Sequence, residues 1–396
     1  MLLLVTLIVA TACSNDDKAE SLNALTVQLT STDAISDFSN FQITVTELKS
    51  GTTFKDKADA QGKATFNLPL GAYNIVAEDM VDGASTMYGH TENLTVAGAA
   101  SKVEIKVTPL LASIDKSFVL DELYFNGDNN GDWNYVYYES YLTIRNVSDR
   151  ALYADGLSIA ICGNFNSLDE KDSPMAEYLK KDTIVISQLY TIPGDGRKYK
   201  VEPGKSLVLA HSAINHKFDN VKKVIDKSKI HSIDLSGADL EFYIPGTMTT
   251  DNPEVENMLV DYSAHEAFNW GYTGNTPIML VRLSKAERAK LVGSKVKMDM
   301  PLSMGTMKLD YLLLPVSSVI DGVETGSKDA FMMKVLPDRV DRSAILINTG
   351  FSGFDGQFIH RKQITNAAGT ATVQDTNNSA DDFEIIVHGQ KSYPKK

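Results

Sequence analysis

Short runs of alternating apolar and polar residues fill the chain from Leu22 to about Pro109. In five of these runs every second side chain is apolar, namely 25–29, 41–45, 64–68, 73–77 and 103–107. Alternate side chains of an extended strand point to the same face, so each run predicts a strand with one buried and one exposed face. No window here has the apolar spacing of a helix. The pattern therefore predicts a β-sandwich over residues 22–109.

The rest of the chain also shows strand patterns, although its runs are less regular. The candidate strands are 118–125, 135–144, 157–162, 206–209, 279–283, 311–314 and 385–387. Helix signals are sparse, and the clearest is Ser284-Lys-Ala-Glu287, a capping box that predicts a short helix ending near Val292. We predict an all-β protein with two immunoglobulin-like or prealbumin-like sandwich domains in tandem. The second is larger and is elaborated by long loops and short helices.

An uncharged apolar run occupies residues 1–12 and ends in Ala10-Thr11-Ala12-Cys13. It has the length of a signal-peptide core and is too short to cross a bilayer as a helix. Its end resembles a bacterial lipoprotein box, which implies cleavage before Cys13 and acylation of that cysteine. The acidic tether that follows, residues 13–21, resembles the surface-export signals of Bacteroidota lipoproteins; a plain solvated linker is the alternative. The resemblance implies a lipid-anchored outer-membrane protein that faces the cell exterior.

Composition narrows the function classes further. The chain has 38 Lys and Arg against 51 Asp and Glu, a formal net charge of −13. Such a chain repels a phosphate backbone, so nucleic acid is not an expected partner. Its two cysteines, Cys13 and Cys162, exclude a disulfide-rich scaffold and a cysteine-based zinc site. Cys162 lies in an apolar run and is expected to be a buried free thiol.

Residues 59–73 carry the most specific signal of the first region. Asp59 to Gly62 predict a tight turn, and Gly71 predicts a second one before Tyr73. The stretch resembles the hairpin of carboxypeptidase-regulatory-like and prealbumin-like domains, where such a tyrosine plugs the sandwich. This resemblance implies a stalk or spacer module.

A set of ordered stretches characterises the second region. They are 141–149, 153–156, 203–211, 232–235, 319–324, 360–362 and 375–379. The earlier ones resemble the lamin-tail domain, and the whole set resembles an uncharacterised Bacteroidota lipoprotein family with a lamin-tail-like fold and no established activity. We therefore divide the chain into a signal peptide (1–12), a tether (13–21), a carboxypeptidase-regulatory-like sandwich (22–109) and a lamin-tail-like sandwich (110–396).

An oxygen-rich segment at 126–132 is the best metal candidate. Its candidate calcium ligands are Asn126, Asp128, Asn130 and Asp132. Oxygen ligands at alternate positions are typical of the first half of a calcium loop, but the closing glutamate is missing, since Tyr137 stands at the twelfth position. The alternative is a hairpin loop held by Asx turns. Residues 375–382 form a second, weaker calcium candidate.

Four aromatic residues would share one face of an extended strand: Trp133, Tyr135, Tyr137 and Tyr141. If that face is exposed, it is a platform on which sugar rings or a partner's surface could stack. The alternative is that the rings pack across strands inside the sandwich or against the first domain.

No nucleophile elbow, phosphate loop or dinucleotide fingerprint occurs in the sequence, and its histidines do not form a ligand set. We therefore expect a non-catalytic surface lipoprotein that binds a nutrient or a partner protein, as an accessory to an outer-membrane transporter. The alternatives are an adhesive or glycan-binding structural protein and, third, a calcium-dependent hydrolase. No cofactor other than calcium is indicated.

Overall fold

The computed structural model describes residues 22–31, 35–81, 84–98, 100–109, 118–129, 135–136, 138–163, 165–173, 175–219, 232–247, 249–265, 267–271, 273–302, 305–347, 356–365, 369 and 371–387. The chain divides into two compact units. The first includes Met87–Thr108 and the described residues up to Met80, and the second includes those from Pro109 onward. Both consist of strands with few short helices, which confirms the all-β prediction. Among the described residues, no helix is long and apolar enough to cross a membrane.

Seven strands form the first unit. They are β1 (Asn23–Ser31), β2 (Phe41–Glu47), β3 (Thr53–Lys57), β4 (Lys63–Leu68), β5 (Gly71–Val81), β6 (Ala84–Val96) and β7 (Ala100–Pro109). They are hydrogen-bonded in the order β3-β2-β5-β6-β7-β1-β4, with β1 parallel to β7 and antiparallel to β4. Side chains of β1, β2, β4 and β5 meet in one apolar core, so the strand order curves around that core.

The hairpin around β4 has the predicted turns. Gly62 has φ +81°, and a Cβ at this position would lie 2.9 Å from the carbonyl oxygen of Leu29, so glycine is required for two reasons. Asp59 Oδ1 accepts the backbone N–H of Lys63 at 2.8 Å and closes the turn. Tyr73 is fully buried, and its hydroxyl donates to the carbonyl oxygen of Pro69 at 2.9 Å.

The second unit contains two large sheets and several short strand pairs. Its strands are β8 (Phe118–Tyr124), β9 (Asp128–Asn129), β10 (Tyr135–Val136), β11 (Tyr141–Asn146), β12 (Leu152–Tyr153), β13 (Leu157–Cys162), β14 (Thr183–Thr191), β15 (Lys200–Val201), β16 (Ser206–Ala210), β17 (Leu240–Glu241), β18 (Glu256–Asn257), β19 (Leu259–Ser263), β20 (Ile278–Arg282), β21 (Val296–Leu302), β22 (Gly305–Pro315), β23 (Val319–Val323), β24 (Thr325–Ser327), β25 (Ile345–Ile347), β26 (Gln357–Arg361), β27 (Gln363–Thr365), β28 (Ala371–Val373) and β29 (Phe383–Val387). Its α-helices are α1 (Met175–Leu179), α2 (His216–Asp219), α3 (Lys285–Gly293) and α4 (Ser379–Asp382), and 3-10 turns cover Phe165–Ser167 and Val316–Ser318.

The front sheet has the order β18-β17-β16-β11-β8-β26-β29, and the back sheet has the order β21-β22-β14-β13-β20-β23, with β19 also pairing with β14. Strands β8 and β13 bury every residue, because both of their faces are covered.

Cys162, at the end of β13, is a fully buried free thiol whose pKa is raised by burial. Helix α3 begins with the predicted capping box, in which Ser284 and Glu287 bond to each other's backbone N–H.

A buried ion pair joins the two large sheets. Arg361 on β26 places Nη2 at 2.9 and 2.7 Å from the two carboxylate oxygens of Asp321 on β23. Leu120 on strand β8 binds both members of the pair. Its carbonyl oxygen accepts a hydrogen bond from Arg361 Nε at 2.6 Å, and its backbone N–H donates to Asp321 at 2.7 Å. A charged pair this deep is stable only when its remaining hydrogen-bonding groups are satisfied, as they are here.

Candidate functional site

Several strand ends of the front sheet meet at one end of the second unit. Tyr124, the last residue of β8, pairs with Tyr141, the first of β11. Tyr141 pairs with Ala210 at the end of β16, and Ala210 pairs with Glu241 at the end of β17. The connections that leave the sheet here are 125–140, 211–239 and 242–255. We call this the loop-bearing end; among the described candidate residues, Asn126 and Tyr141 lie here.

The calcium candidates fall only partly within the described residues. Asn126 is fully buried, and its side-chain oxygen accepts the backbone N–H of Gln357 at 3.2 Å, so it ties the loop to β26. Asp128 lies in β9 and pairs with Val136, but its side chain lies outside the described part, as do Asn130 and Asp132. In the part of the chain that the structure describes, no three His, Cys, Asp or Glu residues are arranged to hold a metal ion. Calcium binding here stays a prediction.

Two carboxylates of the second oxygen-rich segment, residues 375–382, lie beside Arg361. Asp375 and Asp382 lie 3.4 and 3.6 Å from Arg361 Nη1. Asp382 also accepts the backbone N–H groups of Thr376 and Asn378, at 2.8 and 3.1 Å. These carboxylates neutralise a buried guanidinium and close the loop. Calcium binding by this segment stays a prediction.

The aromatic residues of the predicted platform are also divided. Tyr141 is 1% exposed, and its ring centroid lies 5.8 Å from that of Tyr124. It therefore belongs to the core, as the alternative interpretation had it, because the front sheet is covered on this face. Tyr135 lies in β10, but its side chain is outside the described residues. Trp133 and Tyr137 are outside them altogether, as is Cys13.

The structure brings together an aromatic cluster that the sequence analysis did not find. The His211 ring lies against Tyr138 and Phe268, at centroid distances of 5.2 and 4.6 Å. Phe268 stacks on Phe242 at 4.3 Å, and Tyr190 meets Phe242 edge-on at 5.2 Å. The five residues come from five separate segments, so no local pattern could have revealed them. We call them the aromatic cluster of the loop-bearing end.

Two buried titratable groups belong to this part of the structure: His211, a member of the cluster, and Glu241, which precedes Phe242 along the chain. His211 Nδ1 is 3.2 Å from the hydroxyl of Ser140, and burial together with the charge of His216 lowers the pKa of His211 to about 3. Glu241 accepts the N–H groups of Ala213 and Asn252 at 2.8 and 2.9 Å. Burial nevertheless raises the pKa of Glu241 to about 7. Perturbed pKa values that cluster at one place mark it as a candidate functional site.

A second buried carboxylate, that of Glu139, supports the floor of the site. Glu139 accepts the hydroxyl proton of Tyr124 at 2.6 Å and the backbone N–H of Ile233 at 3.3 Å. These bonds tie β8 to the connection that follows β16. The loops therefore begin from a fixed base, which suits rigid presentation of a binding surface.

The Ser140–His211 pair invites comparison with a catalytic triad. A triad needs a carboxylate on the second imidazole nitrogen and an accessible hydroxyl. Ser140 is only 2% exposed, and within the described ranges no carboxylate is hydrogen-bonded to the other nitrogen of His211. The geometry is thus that of a packed polar pair.

No curated protein matches the chain. Residues 202–389 match DUF4876, a protein family of unknown function. The matched segment includes β16 and continues through β29, so it contains His211, Glu241, and Arg361 with its three carboxylate partners.

One solved structure supports this likeness at the level of the fold. A DUF4876 family protein from Bacteroides thetaiotaomicron VPI-5482 is 19% identical with a TM-score of 0.54, covering 91% of this chain and 94% of that chain. A DUF3823 family protein from Parabacteroides merdae ATCC 43184 is 11% identical with a TM-score of 0.19, covering 46% of this chain and 98% of the other. The first likeness supports a shared fold, whereas the TM-score of the second is too low to do so.

Proposed function

We propose that this protein is a non-catalytic lipoprotein of the outer membrane, anchored at Cys13 and facing the cell exterior, that binds a nutrient or a partner protein. The observation that carries the proposal is the loop-bearing end. There, the aromatic cluster includes the buried His211, and its members Phe242 and Tyr138 directly follow or precede the buried Glu241 and Glu139 along the chain. Burying titratable groups is unfavourable for folding. Exceptions to the rule that such groups stay at the surface are expected where a protein carries out its function. The half-buried Tyr138 is the member of the cluster that reaches the surface, and a ring that ends in a hydroxyl is suited to recognition.

We propose further that the second unit is lamin-tail-like and the first carboxypeptidase-regulatory-like. The side chain of Asn146 supports the former, because it donates to the carbonyl oxygens of Arg150 and Val201 at 2.7 and 2.8 Å and so holds the turn after β11. Gly204 has φ +72° and donates its N–H to the Asn146 carbonyl oxygen at 2.8 Å. The buried Tyr73 supports the latter.

The binding partner we propose is an outer-membrane transporter, which the protein would serve as an accessory. The test is affinity purification of the full lipidated protein from outer membranes in mild detergent, followed by mass spectrometry. We expect a stoichiometric transporter barrel. The Cys13→Ser variant should leave the membrane fraction. Tyr138→Ser should stay in the membrane and lose the barrel, because it removes the half-buried ring over His211.

A matched control is Tyr178→Ser, a tyrosine on α1 outside the aromatic cluster, which should retain the barrel. A wild-type protein that remains in the membrane but elutes alone would contradict the transporter role. A glycan array would then test the adhesive alternative. Hydrolytic activity that requires calcium and is lost on chelation would contradict the non-catalytic assignment.

A further inference from the structure

We propose that β21 is an interface for a second copy of this chain, formed when two β21 strands pair antiparallel along their outer edges. Strand β21 is the last strand on one side of the back sheet, and within the described part of the chain β22 is the only strand that pairs with it. An edge strand presents backbone N–H and C=O groups to which another strand can bond. This inference uses neither the loop-bearing end nor Cys13, so it and the function proposed above can fail independently.

The pairing of β21 with β22 decides which backbone groups face the outer edge. Leu302 and Gly305 pair directly with two residues between them, and such a pair exchanges both of its hydrogen bonds. Because these bonds alternate along an antiparallel ladder, the N–H and C=O groups of Lys297 and Asp299 point away from β22. Pro301, which has no N–H, stands at a position of the same outward set, as a proline within a strand requires. Lys297 and Asp299 therefore supply the hydrogen-bond donors of this edge.

A groove along this edge leaves room for an added strand. It is lined by Lys297, Met298, Asp299 and Lys308 of the two strands and by residues of the segment 170–178, and its volume is about 770 Å³. Successive residues of a strand point to opposite faces, so a groove that touches three residues in a row follows the edge of the strand. The side chains of Lys297 and Asp299 are exposed, whereas Met298 belongs to the core of the back sheet.

The outward-facing groups restrict how two β21 strands can pair. Hydrogen bonds form only between outward-facing positions, so a slip of one residue is excluded. In the register centred on Met298, Lys297 of each copy lies opposite Asp299 of the other. The next registers on either side would instead place Lys297 opposite the second Lys297, or Asp299 opposite the second Asp299. Opposite charges across a ladder stabilise it and like charges destabilise it, so the charge pattern selects the register centred on Met298.

The partners that these side chains already have within the chain are compatible with the interface. Lys308 Nζ on β22 lies 3.6 Å from Asp299 Oδ1, and both side chains are exposed. Lys297 pairs with Asp310 of β22 in the ladder. Joining two copies extends each of these pairs into a row of four alternating charges: Lys308 and Asp299 of one copy, then Lys297 and Asp310 of the other. A carboxylate can accept from two cations at once, so neither side chain has to be without a partner.

The same features keep the contact small. Charged residues and prolines commonly protect an edge strand from open-ended pairing. Pro301 cannot donate at the next outward position, so each copy donates only the N–H groups of Lys297 and Asp299. A contact of this extent falls in the class of weak, transient interfaces. We therefore expect a reversible dimer and not a filament.

The test is sedimentation equilibrium of the full chain in mild detergent, which should give a dimer with a Kd of about 100 µM. Asp299→Lys and Lys297→Asp each place like charges across the ladder and should weaken the dimer at least about tenfold. An equimolar mixture of these two variants brings opposite charges together again and should dimerise as the wild-type chain does. The matched control is Asp56→Lys on β3, an edge strand of the first unit, which should leave the Kd unchanged.

Hydrogen exchange adds a readout that is specific to this strand. The peptide containing β21 should exchange more slowly in concentrated than in dilute wild-type protein, and Asp299→Lys should abolish that difference. Thermal unfolding checks that each variant is folded.

Three results would overturn the proposal. The first is a wild-type chain that remains monomeric up to about 1 mM, including one whose β21 is protected only when another protein is added. The second is a mixture of the two folded charge variants that fails to dimerise. The third is a dimer of Asp299→Lys as tight as that of the wild type, because acyl chains or another surface would then hold the copies together.

Discussion

In the first unit β4 alternates strictly between exposed and buried residues, whereas β8 of the second unit buries all seven of its residues. The buried polar side chains of the described residues follow the same division. Only Asn23 and Asp79 belong to the first unit, while the second buries acids, histidines and Arg361. The first unit is thus held mainly by a simple apolar core, and the second also depends on buried charges whose partners come from distant segments. The two units should respond differently to charge removal and to pH.

Replacing Arg361 should have the largest effect. In Arg361→Met the carboxylates of Asp321, Asp375 and Asp382 lose their cation in a buried site. We expect the free energy of unfolding of the second unit to fall by about 3–5 kcal/mol. Both tryptophans, Trp133 and Trp270, lie beyond residue 109, so tryptophan fluorescence in a denaturant titration reports on this unit alone.

Two further variants sharpen this result. Arg150→Met removes a surface cation that lies 3.5 Å from the exposed Asp149 and should cost less than about 1 kcal/mol. Ile75→Ala opens a cavity in the apolar core of the first unit. It should lower that unit's stability by about 2–5 kcal/mol, as measured by hydrogen exchange of β5, with little change in the tryptophan signal. An Arg361→Met protein as stable as wild type would contradict the contrast drawn here.

We next expect the free energy of unfolding of the second unit to depend on pH, because its buried glutamates have shifted pKa values. Burial raises the pKa of Glu324 to about 7, although Asn166 and the N–H groups of Val335 and Leu336 donate to it. A carboxyl with a raised folded-state pKa binds its proton more tightly when folded. The contribution of this carboxyl to the free energy of unfolding is complete below the ordinary glutamate pKa and is lost as pH rises through about 7. Glu241 acts in the same direction.

His211 has the opposite sign, because its lowered pKa makes the folded state bind its proton less tightly. Its contribution to the free energy of unfolding is complete above the ordinary histidine pKa and is lost as pH falls from there toward 3. Above about pH 6.5 the glutamates therefore set the slope. Stability should fall by about 1 kcal/mol from Glu324 between about pH 6.5 and 8. Denaturant titrations of Glu324→Gln should show lower stability but a flatter pH profile; an equally steep one would assign the slope elsewhere.

A small loss of stability should come from removing the capping box of α3. Ser284 Oγ accepts the backbone N–H of Glu287 at 3.2 Å. Ser284→Ala should therefore cost about 1 kcal/mol in the tryptophan-detected transition. Ser318→Ala, which removes a hydroxyl outside the helix, serves as the comparison. A cost above about 3 kcal/mol would show that α3 supports the unit by more than its cap.

The oxygen-rich segments show why part of the site could not be predicted. Aspartates and asparagines in a short stretch are compatible with calcium, with turns or with a distant cation, and only their surroundings separate these cases. For Asp375 that surrounding is Arg361, which the topology brings to it from across β27 and β28. Tyr141 is a similar case, because a strand pattern defines two faces but not which of them is covered.

What the sequence determined by itself is local. The alternation in β1, β2 and β4, the turn at Gly62 and the capping box at Ser284 follow from residues a few positions apart, and the structure has each of them. The resemblance also directed attention to stretches that contain Asp321, Arg361 and Asp375. Their contact was decided only by the tertiary structure, as was the aromatic cluster around His211. The physical reason is that burial and electrostatic pairing depend on which strands become neighbours, and that pairing joins residues as far apart as Leu120 and Arg361.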